Sequence, residues 1–171
     1  MRTLNDVTPL EIPQELLDAV DYEDGVLRWN TKRGKVNIGD VAGSRCKHNS
    51  IRLMFRGKKY LVHRVVWAKV KGEQPPSQLD HINRDPSDNR IENLRAASSE
   101  ENGRNRTVGK DNKSGTTGVS WNTQVGKWKV SISIEKDKKH LGYYAQLKEA
   151  VMIRKAAEDK YYGEFAPKGG K

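Results

Sequence analysis

The chain has 171 residues, 35% hydrophobic and 32% charged, and its 32 Lys plus Arg against 22 Asp plus Glu give a formal net charge of +10. That size suits one or two small domains with modest cores and excludes one large core. The single cysteine, Cys46, excludes an intrachain disulfide and a cysteine-rich zinc site, no apolar run approaches the ~18–20 residues of a membrane span, and no apolar signal region follows Met1.

A soluble, cytoplasmic protein with no membrane partner is therefore expected. The charge is unevenly placed: residues 1–50 carry a net −1, residues 51–110 a net +6 and residues 111–171 a net +5. A surplus of this kind points to a polyanionic partner, most simply nucleic acid.

Taken in chain order, Pro13 to Val20 predicts a short helix with proline near its first turn. Asp24-Gly25 marks a turn before Val26-Leu27-Arg28-Trp29, a hairpin signal. Ile51–Phe55 and Lys59–Val62 flank Arg56-Gly57-Lys58 and predict a second hairpin. His63–Lys71 reads as a helix stopped by Gly72 and Pro75-Pro76. Gln78–Ile82 is expected to be a strand ending near His81, followed by a turn-rich loop from Asn83 to Arg90 and a return strand over Glu92–Ala97. Ser98 and Glu101 form a capping box, placing Asn102 in the first turns of a helix that ends near Arg106.

Residues 107–117 are polar, lack apolar periodicity and read as a linker. Val119–Asn122 is a candidate strand. Trp128, Val130, Ile132 and Ile134 then alternate with Lys127, Lys129, Ser131 and Ser133, which is strand periodicity. Lys138–Tyr144 predicts a third strand with Gly142 an irregularity. Gln146–Tyr162 predicts a helix with Leu147, Ala150, Val151, Ala157 and Tyr161 on its inner side.

The chemistry concentrates in Asp80-His81-Ile82-Asn83, Asn93-Leu94 and Glu101-Asn102, with 12 residues from His81 to Asn93 and 9 from Asn93 to Asn102. Phosphodiester hydrolysis needs a base for water, and a neutral histidine supplies it near pH 7. A divalent ion stabilises the crowded phosphorus and the departing oxygen. Asp80 and Asn102 offer the oxygen ligands that a hard cation prefers, and Asn93 can fix the ring or the loop of His81. His63, His48 and His140 show no ligand spacing and stay outside this set.

Together with Asp88-Asn89-Arg90, Glu92-Asn93-Leu94 and the upstream Val62-His63-Arg64-Val65-Val66-Trp67, these motifs resemble the HNH endonucleases of the ββα-metal fold, especially those of phages and mobile elements. The resemblance covers roughly residues 50–106. It implies His81 as general base, Asn93 as its orienting residue, and Asp80 and Asn102 as ligands of one Mg²⁺ or Mn²⁺. The third signature position holds asparagine rather than histidine. The reaction implied is cleavage of DNA to 5′-phosphate and 3′-hydroxyl ends by a free-standing homing-type enzyme, nicking or cutting both strands, in the host cytoplasm.

Residues 115–167 resemble the plant ethylene-response-factor type of DNA-binding domain, on Gly118-Val119, Gly126-Lys127-Trp128, Leu141-Gly142, Glu149-Ala150 and Gly163. That resemblance implies a sheet in the major groove of double-stranded DNA. Its outward residues by position are Ser120, Trp121, Asn122, Lys127, Lys129, Ser131 and Ser133, while Trp128 faces the helix.

The expected fold is therefore α+β. It comprises an N-terminal scaffold over residues 1–50 with β-hairpins, a ββα-metal core over 51–106, the linker, and a three-stranded sheet packed on one helix over 118–167. A catalytically inactive DNA-binding regulator and an RNA-binding module are the alternatives. No coiled-coil pattern decides between monomer and dimer.

Overall fold

A computed structural model describes residues 10–46, 49–104, 111–135 and 137–166. Met1–Asp6, His48, the expected helix end at residues 105–106 and the first part of the expected linker, residues 107–110, lie outside the described residues. The chain divides into two compact units, Met1–Ala97 and Ser98–Lys171.

The first unit opens with helix α1 (Gln14–Asp18), a single turn that buries Leu16 completely. Strands β1 (Val20–Glu23) and β2 (Val26–Trp29) form the expected hairpin. Its two turn residues, Asp24 and Gly25, have φ of 42° and 85°, as a two-residue hairpin turn demands. Strands β3 (Ser44–Arg45), β4 (Ile51–Phe55) and β5 (Lys58–Leu61) make an antiparallel sheet in that order.

Helix α2 (Val62–Lys71) follows β5 directly. Valines are weak helix formers, so packing must favour this helix: Val62, Val65 and Val66 lie at i, i+3 and i+4 and are at most 2% exposed. Burying each such side chain is worth about 1.5–3 kcal/mol. Gly72 ends the helix in the left-handed region and donates to Ala68 O at 3.0 Å. Lys69 Nζ reaches back 2.8 Å to Leu17 O, tying α2 to α1.

One core runs from Ile12 and Leu16 through Leu27, Leu53, Tyr60 and Val65 to Leu94. No break in packing falls at residue 50, because the N-terminal hairpin shares this core with β4, β5, α2 and Leu94. Strands β6 (Leu79–His81) and β7 (Leu94–Ala96) close the unit as an antiparallel pair.

The second unit begins with helix α3 (Ser99–Arg104). Its capping box forms as expected, with Ser98 N donating to Glu101 Oε2 at 2.7 Å and Glu101 N to Ser98 Oγ at 3.2 Å. The described part of the expected linker is locally organised. Ser114 Oγ donates to Val119 O at 2.8 Å, and Asn112 Nδ2 donates to Thr116 O at 3.0 Å. Strands β8 (Val119–Asn122), β9 (Lys127–Ile134) and β10 (Asp137–Tyr144) form an antiparallel sheet with β9 central, and α4 (Leu147–Tyr162) packs on it. The irregularity at Gly142 is a bulge between His140 and Gly142.

The buried stripe of α4 differs from the apolar pattern. It is Ala150, Arg154, Ala157, Glu158 and Tyr162, while Tyr161 is only partly buried. Arg154 Nη1 donates to Ser131 O at 2.8 Å, and its Nε forms an ion pair with Glu158 Oε1 at 3.0 Å. A charged pair one helical turn apart therefore occupies core positions, which apolar periodicity cannot reveal. Gly118, at φ 78°, lies so close to this pair that a Cβ would collide with Ser131 O and stand 3.1 Å from the Arg154 guanidinium.

Candidate active site

Asp80 and His81 occupy the end of β6, where register sets Asp80 opposite Arg95 and His81 opposite Leu94. Asp80 is 5% exposed. Its Oδ2 accepts from Arg95 Nε at 3.0 Å and Nη2 at 2.7 Å. The cross-strand arginine supplies the compensating charge that a buried carboxylate requires.

His81 sits between two neighbours. Its Nε2 is 3.3 Å from Asn89 Oδ1, and its ring meets that of His63 edge to face, with centroids 5.1 Å apart. Burial lowers the His81 pKa below the ordinary value, an effect partly opposed by the Asn89 hydrogen bond and by Asp80, Asp88 and Asp85. The imidazole is therefore held neutral, the form that can accept a proton.

His63, left out of the site by sequence reasoning, is in ring contact with it. Burial pushes its pKa down to about 3, aided by the positive charge of Arg64, and its buried Nδ1 has no hydrogen-bond partner. A cation is thereby kept away from the face of His81. The unfolded chain protonates this group near 6.5 and the folded unit only near 3. Between those values protons favour the unfolded chain, so folding stability is full above pH 6.5 and falls as the pH drops through the window. The expected slope from this group is at most about 1.4 kcal/mol per pH unit. Urea unfolding at pH 7 and pH 4.5 measures it; His63→Phe should flatten the profile, and an unchanged profile would contradict this account.

The loop from Asn83 to Arg90 is held by its own short polar side chains. Asn83 Oδ1 accepts from Asp85 N at 2.8 Å, and Asp85 Oδ1 from Ser87 N at 2.9 Å. Asp88 accepts from Asn83 Nδ2 at 2.7 Å and from Arg90 Nε and Nη2 at 2.9 and 2.7 Å. Chiefly the Arg90 bonds hold the Asp88 carboxyl at about 2.

Asn93 closes the neck of this loop. Its Oδ1 accepts from Asn83 N at 3.0 Å, its Nδ2 donates to Asn83 Oδ1 at 3.0 Å and Asp88 O at 2.8 Å, and its carbonyl accepts from Ile82 N at 2.9 Å. It is the last residue of a short 3-10 turn (Ile91–Asn93), not part of the return strand. Of the two roles open to it, the observed bonds are those that fix the loop, and the observed hydrogen bond to the ring comes from Asn89. The Asp88-Asn89-Arg90 motif was visible in sequence, but nothing local distinguished Asn89 from an ordinary turn residue.

Asp80, His81 and Asn93 thus come together in the first unit. Asn102 lies on α3 in the second, half-buried, with its N–H bonded to Ser98 O at 3.0 Å. As for a metal, the described residues contain no group of three or more His, Cys, Asp or Glu that could hold one. The Asp80 carboxylate is nevertheless an oxygen donor of the kind a hard cation prefers.

On the second unit's sheet, register pairs Ser120 with Lys129 and Asn122 with Lys127, so these share the face away from α4. Ser120, Lys127 and Ser133 are exposed and Lys129 half-buried. The other three members of the expected outward set have different surroundings. Trp121 pairs with Trp128, on the opposite face from Ser120, and is 48% exposed with the two rings edge to face at 5.3 Å. Asn122 Oδ1 is engaged by Val125 N at 2.9 Å in the β8–β9 turn. Ser131 retains only 7% of its surface in the central strand.

A family model described as HNH endonuclease matches residues 60–104, from the end of the β4–β5 hairpin through α3. Among curated proteins, Protein 3.8 of Escherichia phage T7 is 31% identical over 105 residues, covering 61% of this chain and 86% of that protein. No solved structure matches significantly.

Proposed function

We infer, for a chain that belongs to the family of phage T7 Protein 3.8 and carries an HNH endonuclease domain at residues 60–104, hydrolysis of DNA phosphodiester bonds at the Asp80-His81 site. The observation that carries this reading is a half-buried, neutral His81 at a strand end, hydrogen-bonded at Nε2 and set beside the buried carboxylate of Asp80.

In the mechanism, His81 takes the proton from water as it attacks phosphorus. Asn93 keeps the loop beneath the ring in shape, and Arg95 holds the Asp80 carboxylate at the strand end. HNH nucleases use divalent metal ions, and the family resemblance gives Asp80 and Asn102 as the residues that would hold a single Mg²⁺ or Mn²⁺. Such an ion supplies charge stabilisation at the phosphoryl and leaving oxygens. Water attack with release of the 3′ oxygen leaves 5′-phosphate and 3′-hydroxyl ends. Mapping the ends on each strand of cut phage DNA tests this, since 3′-phosphate ends would contradict it. The same map separates nicking from double-strand cleavage in a phage homing-type role.

The second unit's sheet is proposed to hold duplex DNA through Ser120, Lys127, Lys129 and Ser133. The net +5 of residues 111–171 supports this, as does the resemblance to the ethylene-response-factor type of domain. Lys127→Ala with Lys129→Ala should weaken duplex binding and reduce the slope of log K against log salt by roughly 1–2, because each phosphate contact contributes about 0.9. Fluorescence anisotropy over a salt series measures this; an unchanged slope removes the sheet from the DNA-contacting surface.

A further inference from the structure

Asn89 is 1% exposed, and its amide lies between two partners. Its Nδ2 donates to Ser87 O at 3.3 Å, so the amide oxygen is the atom turned toward His81 Nε2, also at 3.3 Å. An amide oxygen can only accept. Nε2 therefore carries the ring proton, and Nδ1 keeps the lone pair.

The backbone at Asn89 is in turn held by a segment distant in sequence. Ile91 N donates to the Tyr22 hydroxyl of β1 at 3.1 Å. The tip of the β1–β2 hairpin approaches the loop closely. A Cβ at Gly25 would stand 2.8 Å from Arg90 N and 3.1 Å from the Asn89 carbonyl carbon, and φ there is 85°. Only glycine allows that approach.

We propose that Asn89 is a positioning residue that selects the His81 tautomer with its lone pair on Nδ1, and that the β1–β2 hairpin holds Asn89 in place through Tyr22 and Gly25. This rests on His81 being the general base. It extends the catalytic apparatus to a hairpin that lies outside the residues matched to the HNH family. A buried amide that merely satisfied its own turn would need no particular neighbour for its oxygen. Here the oxygen meets the ring, and a hydrogen-bond partner so placed fixes both its tautomer and its orientation.

The test uses the full chain with ¹⁵N-labelled histidine. Long-range ¹H–¹⁵N spectra report which ring nitrogen of His81 is protonated, assigned by loss of its signals in His81→Ala. The wild-type ring should carry its proton on Nε2. Asn89→Leu should give mixed tautomers and lower kcat on supercoiled DNA by roughly 10–100-fold with duplex affinity unchanged. Asn89→Asp retains an oxygen acceptor and should recover the Nε2–H tautomer and most of the rate. Gly25→Ala, which leaves Asn89 intact but displaces its backbone, should change tautomer and rate in the same direction as Asn89→Leu. If Asn89→Leu does not fold, Gly25→Ala and Asn89→Asp carry the test. A wild-type proton on Nδ1, or an unchanged tautomer and rate in folded Asn89→Leu and Gly25→Ala, would overturn the proposal. If no chain cleaves DNA, the nuclease reading fails, and the tautomer spectra still decide the role of Asn89.

Discussion

His81→Ala should lower kcat for DNA cleavage by roughly 10²–10⁴-fold, the usual contribution of a positioned general base, while duplex affinity stays close to wild type. The physical grounds are local. His81 is neutral because burial outweighs the nearby carboxylates, and its ring is held by Asn89 and by the perpendicular ring of His63. Alanine removes the proton acceptor but leaves the β6–β7 ladder intact, since the ladder bonds are main chain. The effect should therefore appear in kcat rather than KM. Cleavage by purified His81→Ala at the wild-type rate in Mg²⁺ would show that the base lies elsewhere.

Arg154→Leu should destabilise the second unit by about 3–5 kcal/mol, the usual cost of removing one partner of a buried ion pair. Arg154 and Glu158 have side-chain exposures of 4% and 9%. Leucine would leave the Glu158 carboxylate in the core without this cation, and Ser131 O without its guanidinium donor. Replacing both charges, as Arg154→Met with Glu158→Leu, should recover much of the loss, because an apolar pair requires no compensation. Urea unfolding of the three chains measures this. A single variant as stable as wild type would mean that the pair contributes nothing to the fold. Duplex affinity followed in parallel asks whether the ordered sheet is the DNA-contacting surface.

Local chemistry was legible in the sequence. The Asp24-Gly25 turn, the Ser98–Glu101 capping box, the strand alternation after Gly126 and the irregularity at Gly142 all depend on a few adjacent residues, and each appears in the structure. Asp80, His81 and Asn93 could be singled out by spacing because the loop between them closes on itself.

Features set by residues far apart in sequence were not legible. Arg95 becomes the partner of Asp80 only through strand register, and His63 meets His81 only because α2 packs under the site. Asn89 looked like any turn residue until the loop folded back onto the ring. Position in the motif groups Trp121 with its outward neighbours, whereas its register with Trp128 sets it on the other face. The Arg154–Glu158 pair is invisible to apolar periodicity, which treats charged residues as surface.

Whether the Asp80-His81 site cleaves DNA with the help of a divalent ion is decided by incubating the purified full chain with supercoiled duplex DNA in Mg²⁺ and, in parallel, in EDTA. Conversion to nicked or linear DNA in Mg²⁺ alone is the expected result. Intact supercoiled DNA in Mg²⁺, or equal breakage in EDTA, would contradict it.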